Sequence, residues 1–166
     1  MNYITVPLEA SHNRESFSCG KLMLDNYLQK QARQDMKRRL AVCFVLPDED
    51  EIKAYYTLST NSVERRLLPR PIVKKLPPSY VDLPATLLGR LAVNKGYQGQ
   101  GLGEAILVDA LKRAYFASML VGSMAVIVDP LDEAAVKFYA KYEFILLPDS
   151  GKMFLPMATI AELFPV

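Results

Sequence analysis

The chain has 166 residues, with 20 Lys and Arg against 18 Asp and Glu, a formal charge of +2. Half of it is hydrophobic (51%) and 23% is charged, which fits one folded domain over residues 1–166 rather than a disordered chain. One His (His12), two Cys (Cys19 and Cys43) and no Trp exclude a Cys₄, Cys₂His₂ or His₃ zinc site and a disulfide scaffold.

Met1 to Glu15 has no apolar run behind a basic start, so it does not read as a signal peptide. Uncharged stretches are broken by Gly, Ser or Pro, short of the ~20 apolar residues of a membrane helix. A cytoplasmic protein without membrane contact is the expectation.

Residues 3–8 read as a strand, with Tyr3, Ile4, Val6 and Leu8. Asn13 to Arg38 reads as two helices separated at Gly20, with Leu24, Tyr27, Leu28 and Ala32 at helical spacing. Ala41–Leu46 and Ile52–Val63 are rich in β-branched and aromatic residues and predict an antiparallel hairpin closed by the acidic turn Asp48–Glu51. Arg65 to Pro84 holds five of the eleven prolines, so it is a long excursion with at most a short helix near Ile72–Leu76.

Ala85–Val93 follows as a strand. Gly101–Leu120 is a long helix, apolar except for a stripe at Asp109, Lys112 and Arg113. Met124–Val128 is a short apolar strand. Asp132–Tyr142 is a helix with Ala135, Phe138, Tyr139 and Tyr142 on one face, and Asp129-Pro130 supplies its start signal. Phe144–Leu147 and Met153–Met157 form a second hairpin. This order defines an α/β (α+β) fold. A mixed central sheet of about seven strands carries helices on both faces, and the strands flanking the long helix are parallel.

The +2 average conceals local blocks. Residues 30–39 carry five basic residues and one acid, a net +4, and residues 65–75 carry five basic residues and no acid, a net +5. Taken alone, each fits a solvated face as well as a phosphate contact.

One motif carries chemistry. Asn94 to Gly103 reads N-K-G-Y-Q-G-Q-G-L-G between a strand and a helix, with Gly at alternate positions 99, 101 and 103. Glycines there let the backbone approach a ligand closely, and the N–H groups of the first helical turn favour an anion such as phosphate. A dinucleotide fingerprint would need Gly at 104, where Glu stands. A P-loop from Gly96 would need Lys-Ser/Thr where Leu102-Gly103 stands.

The pattern that fits is Gln-x-x-Gly-x-Gly at Gln98, Gly101 and Gly103. On it, the whole chain resembles the GCN5-related N-acetyltransferases. Phe17-Ser-Cys-Gly20, Leu24-Asp25-x-Tyr27-Leu28, Ala54-Tyr-Tyr-Thr-Leu-Ser59, Leu88-Gly-Arg-Leu-Ala-Val93 and Phe138-Tyr-Ala-Lys-Tyr-Glu-Phe144 narrow the resemblance. They are similar to the acetyltransferase toxins of bacterial toxin–antitoxin pairs, which acetylate aminoacyl-tRNA.

The resemblance implies acetyl-CoA as donor and no metal. Its pyrophosphate would lie on Gln98, Gly99, Gln100, Gly101, Leu102 and Gly103. Its pantetheine arm would lie along Leu91, Ala92 and Val93, with Phe138 nearby. The Val93 N–H would polarise the acetyl carbonyl and Tyr139 would protonate the leaving thiolate. A small ribbon-helix-helix antitoxin and a homodimer are implied too. In this context Arg38, Arg39, Arg65, Arg66, Arg70, Lys74, Lys75 and Arg90 become candidate tRNA contacts. His12 is expected on a surface turn, and Cys19 and Cys43 as small apolar fillers. Two positions depart from the branch: Glu143 stands where Gly is usual, and Pro130 follows Asp129 where a small residue is common. Two other readings remain at this level: acetylation of a small amine, polyamine or protein N-terminus, and a non-catalytic acetyl-CoA-binding regulatory module.

Overall fold

The computed structural model describes residues 2–165. Seven strands form one mixed sheet in the order β1-β2-β3-β4-β5-β7-β6. The chain clusters into two compact units, residues 1–59 with 88–111 and residues 60–87 with 112–166. The long strands β3 (Glu51–Glu64) and β4 (Asp82–Val93) contribute to both.

In the first unit, β1 (Val6–Pro7) pairs antiparallel with β2 (Val42–Asp48), which pairs antiparallel with β3. The predicted hairpin is present and its acidic tip closes at Glu49-Asp50, with Glu49 at φ 56°. A register shift between Leu46 and Pro47 accommodates the proline, which has no N–H for the ladder. The strand expected over 3–8 shrinks to two residues, paired only with Phe44 and Val45.

Helices α1 (Leu22–Lys30) and α2 (Ala32–Lys37) break at Gln31, not at Gly20. Gly20 lies before α1 at φ 96°, and residues 13–20 are not helical. The core of this unit joins Tyr27, Leu28 and Ala32 of the helices to Cys43, Val45, Ile52, Tyr55 and Ala92 of the strands. Phe17 meets Tyr55 edge-on at 5.4 Å between ring centroids.

In the second unit, β4 and β5 (Ala125–Val128) form the parallel pair that the crossover predicts. The Met124 N–H donates to Pro84 at 2.9 Å beside it. β7 (Met153–Pro156) runs antiparallel between β5 and β6 (Ile145–Leu146). All four residues of β5 are buried, so the strand reads as a continuous apolar run without alternation. A short C-terminal helix α6 (Met157–Ala161) has no counterpart in the sequence reading.

Three further expectations are corrected. The excursion after β3 holds a 3₁₀ turn at Arg65–Leu67 and a one-turn helix α3 at Arg70–Val73, earlier than Ile72–Leu76. The long helix α4 is Leu102–Ala117, and Asp109 is not part of a solvent stripe but is 5% exposed. Helix α5 (Glu133–Lys141) is capped by Asp132, whose carboxylate accepts from the Ala135 N–H at 2.9 Å. Asp129 instead pairs with Lys152 at 3.9 Å. The cap falls to Asp132, the acid that immediately precedes the first helical residue.

Candidate active site

The glycine turn is built onto the end of β4. Asn94 donates its backbone N–H to Lys53 at 2.8 Å and its side-chain amide to Ile52 at 3.2 Å. Its side-chain oxygen accepts from the Gly96 N–H at 3.2 Å and caps a short 3₁₀ turn over Lys95–Tyr97. Lys95 donates its N–H to Ser18 at 2.8 Å. The Gln98 amide then donates to two carbonyls, Cys19 and Val93, each at 2.9 Å. The turn is thus lashed to β3, to the segment before α1 and to the strand that leads into it.

Gly99 and Gly101 have φ of 80° and 78°, and a Cβ at either would meet nothing within 4 Å. Glycine is required there by backbone conformation and leaves the approach to the backbone open. Helix α4 begins at Leu102, and its first bond back to the turn is Ala105 N–H to Gly101 at 3.1 Å. The N–H groups of residues 101–104 have no acceptor among the described residues. Four consecutive free donors at the positive end of a 16-residue helix form an anion cradle. This donor set fits the pyrophosphate of a coenzyme.

Leu91, Ala92 and Val93 occupy the last three positions of β4, next to the turn. Ala92 faces the core, while Leu91 and Val93 are half-exposed. Two positions earlier on the Ala92 face, the Arg90 guanidinium lies 3.5 Å over the Tyr27 ring. Tyr27 donates its hydroxyl to Asp35 at 2.8 Å. Burial, and then the Asp35 bond, push this phenol well above its ordinary value. Asp25 accepts from the Cys19 N–H at 2.8 Å, and Tyr55 donates to Leu24 at 2.7 Å.

Burial pushes the Cys19 thiol up to about 11, with Asp25 adding to it, and the Cys43 thiol up to about 12. Neither is a thiolate near neutrality, so neither has a nucleophile's character. His12 lies on a turn, its Nδ1 accepting from the Glu9 N–H at 2.9 Å.

In the second unit, Tyr139 packs against Phe138 and Phe144, each at 5.2 Å between ring centroids. Tyr139 is 7% exposed. Every fully buried side-chain N or O among the described residues has a hydrogen-bond partner. Burial of the ring raises this phenol above its ordinary value and keeps it protonated.

The basic candidates separate into different environments. Arg38 and Arg39 are exposed at the end of α2, with Arg39 in a left-handed turn at φ 61°. Arg70, Lys74 and Lys75 are exposed on and after α3. Arg66 is ion-paired with Glu64 at 2.5 Å. Arg65 turns inward and bonds backbone carbonyls.

Sequence reasoning gave Asn94 no role, placed Arg65 among the tRNA contacts rather than on the carbonyls of its own loop, and missed the Asp109 cluster. Asn94 had a legible signal, an Asx residue at a strand-to-turn junction. Asp109 accepts from the Ile4 N–H (2.9 Å), the Thr5 hydroxyl (2.5 Å) and the Tyr56 hydroxyl (2.7 Å), partners about 50 to 100 positions away that no local pattern announces.

A mixed sheet with a parallel pair, whose strand β4 ends in a glycine anion cradle at the head of a helix, suits a transferase that holds a phosphate-bearing coenzyme. The chain matches the acetyltransferase (GNAT) family over residues 10–144, and it belongs to that family. A Mycobacterium tuberculosis protein named tRNA-acetylating toxin is 34% identical over 133 residues, 80% of this chain and 78% of its own. The structure of AtaT complexed with acetyl-methionyl-tRNAfMet superimposes with a TM-score of 0.88 at 29% identity, covering 97% of this chain and 98% of that one. AtaTR bound with AcCoA gives a TM-score of 0.84 at 28% identity, with 97% of each chain covered.

Proposed function

We propose that this protein transfers the acetyl group of acetyl-CoA to the α-amino group of aminoacyl-tRNA, as the toxin of a toxin–antitoxin pair. The observation that carries this reading is the Gln98–Gly103 cradle, in a chain 34% identical to a tRNA-acetylating toxin.

Gln98 to Gly103 would hold the pyrophosphate, the backbone of Leu91–Val93 the pantetheine arm, and Phe138 would pack beside it. When bound, acetyl-CoA supplies an activated thioester and a thiolate leaving group. The chain supplies a donor for the carbonyl oxygen, assigned to the Val93 N–H. It also supplies a proton held on the Tyr139 hydroxyl, which its burial keeps in place through the neutral range.

A free α-amino group titrates at roughly 7.7–8.0, so a useful fraction is already neutral and no strong base is required. A chain with a single His, used in a surface turn, suits that chemistry. Arg38, Arg39, Arg66, Arg70, Lys74, Lys75 and Arg90 are assigned to the phosphates and acceptor end of the tRNA. The working form is proposed to be a cytosolic homodimer partnered by a small ribbon-helix-helix antitoxin.

The test is incubation of purified protein with labelled acetyl-CoA and total charged tRNA. Label is expected in the aminoacyl-tRNA fraction, released as N-acetyl amino acid on mild alkaline hydrolysis. An unlabelled fraction, with label instead on an added polyamine or small amine, would reject the tRNA reading.

A further inference from the structure

The excursion Arg66–Val81 joins β3 to β4, and composition makes it a poor candidate for order. It contains Pro69, Pro71, Pro77 and Pro78, and its helical structure is the end of a 3₁₀ turn and the single turn of α3. Its closure is nonetheless specific. The Arg65 backbone N–H donates to Val81 at 2.8 Å, joining the two ends. The Arg65 guanidinium then reaches into the loop. Nη1 donates to Pro77 at 2.7 Å and Tyr80 at 3.3 Å, and Nη2 to Val73 at 3.3 Å and Leu76 at 3.5 Å.

Two of these carbonyls also accept a backbone N–H within the loop, Val73 from Leu76 at 3.0 Å and Pro77 from Tyr80 at 3.5 Å, so Arg65 reinforces the end of the short helix and the turn after the proline pair. A cation is favoured there by the helix dipole as well. A guanidinium can span several carbonyls because its donors are fixed in a planar fork, which an ammonium lacks.

The loop is held from the other side by apolar contact. Ile72, Val73 and Leu76 pack against the core formed by Val63, Leu68 and Leu83. With that side turned to the core and the carbonyls turned to Arg65, the cations Arg70, Lys74 and Lys75 are left exposed. Arg70 and Lys74 stand four positions apart, on one side of the turn.

We propose that Arg65 is a positioning residue, not a phosphate contact. It clamps the 66–81 loop in the single shape in which Arg70, Lys74 and Lys75 engage the phosphates of an RNA substrate together. The proposal rests on the aminoacyl-tRNA reading above. It divides the basic block into one inward clamp, Arg65, the Glu64-paired Arg66, and three outward contacts, Arg70, Lys74 and Lys75.

A direct contact and a clamp differ in measurable ways. Removing one phosphate contact lowers the salt slope of tRNA affinity by about one and acts independently of its neighbours. Removing a clamp disorders several contacts at once and has no further effect when those contacts are already gone.

The experiment uses the full chain as Arg65→Gln, as Arg70→Ala/Lys74→Ala/Lys75→Ala, and as the combined variant, with Arg65→Lys as the conservative partner. The KM and kcat for charged tRNA are read at several salt concentrations. Cleavage within the loop is read by limited digestion with chymotrypsin, and folding by thermal melting.

Arg65→Gln is expected to raise KM for tRNA about tenfold while kcat is kept, and to lower the salt slope by more than one. It should speed cleavage after Tyr80. In the triple-variant background, the same change should move KM by less than about twofold. Arg65→Lys should recover only part of the loss. If Arg65→Gln does not fold, Arg65→Lys carries the comparison alone. Equal effects of the Arg65 change in both backgrounds would overturn the clamp and make Arg65 a direct contact. A wild-type protein inactive on charged tRNA would instead remove the substrate reading, and this proposal with it.

Discussion

The side-chain amide of Gln98 donates to the backbone carbonyl of Cys19 at 2.9 Å, joining residues 79 positions apart. A second bond from the same nitrogen to Val93, also at 2.9 Å, makes Gln98 the strut that sets the glycine turn on the end of β4. Gln98→Ala removes both donors. Each bond is worth about 0.5–1.5 kcal/mol net, and Gln98 is exposed, so the lower end applies. Acetyl-CoA affinity, measured calorimetrically, should weaken about 5–10-fold. Gln98→Glu also places a negative charge beside the anion cradle and should weaken binding further, by an amount that shrinks with salt.

Tyr139 is assigned the proton for the leaving thiolate. Tyr139→Phe should lower kcat about 10²-fold with acetyl-CoA affinity intact. A fall smaller than about tenfold would remove Tyr139 from that role. The pH profile follows from two groups. The free amine loses activity as it protonates below about 8. The Tyr139 phenol is raised above its ordinary value of about 10, so it remains a donor until well past that pH. kcat/KM should therefore rise with an apparent pKa near ~8 and show no alkaline limb up to about pH 9.5.

Glu143 ends helix α5 in a left-handed conformation, φ 73°. Its N–H donates to Ala140 at 3.1 Å and the Phe144 N–H donates to Tyr139 at 3.2 Å, the bond pair of a helix terminus that favours glycine. The strain of a side chain there outweighs the entropy that glycine adds to the unfolded chain. Glu143→Gly should stabilise the protein by about 0.5–1 kcal/mol, a rise in Tm of about 1–4 °C by differential scanning calorimetry. A lowered Tm would show that the Glu143 side chain contributes more than its backbone strain costs.

Asp109 receives the Ile4 N–H and the Thr5 and Tyr56 hydroxyls while 5% exposed. Asp109→Asn replaces one accepting oxygen with a donor, which then faces another donor. A buried charge-assisted cluster broken in this way should cost about 2–3 kcal/mol in urea unfolding. Thr5→Val deletes one donor and should cost about 1 kcal/mol. The two losses should fall short of additive in the double variant, because they share one bond.

The local features were legible because residue type alone carries them. Gly99 and Gly101 announce left-handed backbone, and Ala135, Phe138, Tyr139 and Tyr142 announce one helix face. The all-apolar β5 and the acidic hairpin tip were equally plain. Where local signals competed, the reading failed: Asp129 and Asp132 are both acids ahead of the helix, and the start of the helix at Glu133 makes Asp132 the cap.

The formal +2 that opened the sequence reading contains two basic blocks, and sequence alone treated their cations as equivalent. Sequence by itself determined the order of the strands and of the helices between them up to the last strand, the glycine turn and the family. The tertiary structure decided the work of individual polar side chains. Asp109 turns to the N-terminal segment, Gln98 to Cys19, and Arg65 to the carbonyls of its own loop. The physical reason is that backbone conformation is set largely by a residue and its near neighbours, whereas a polar side chain bonds whichever distant donors or carbonyls folding leaves without water.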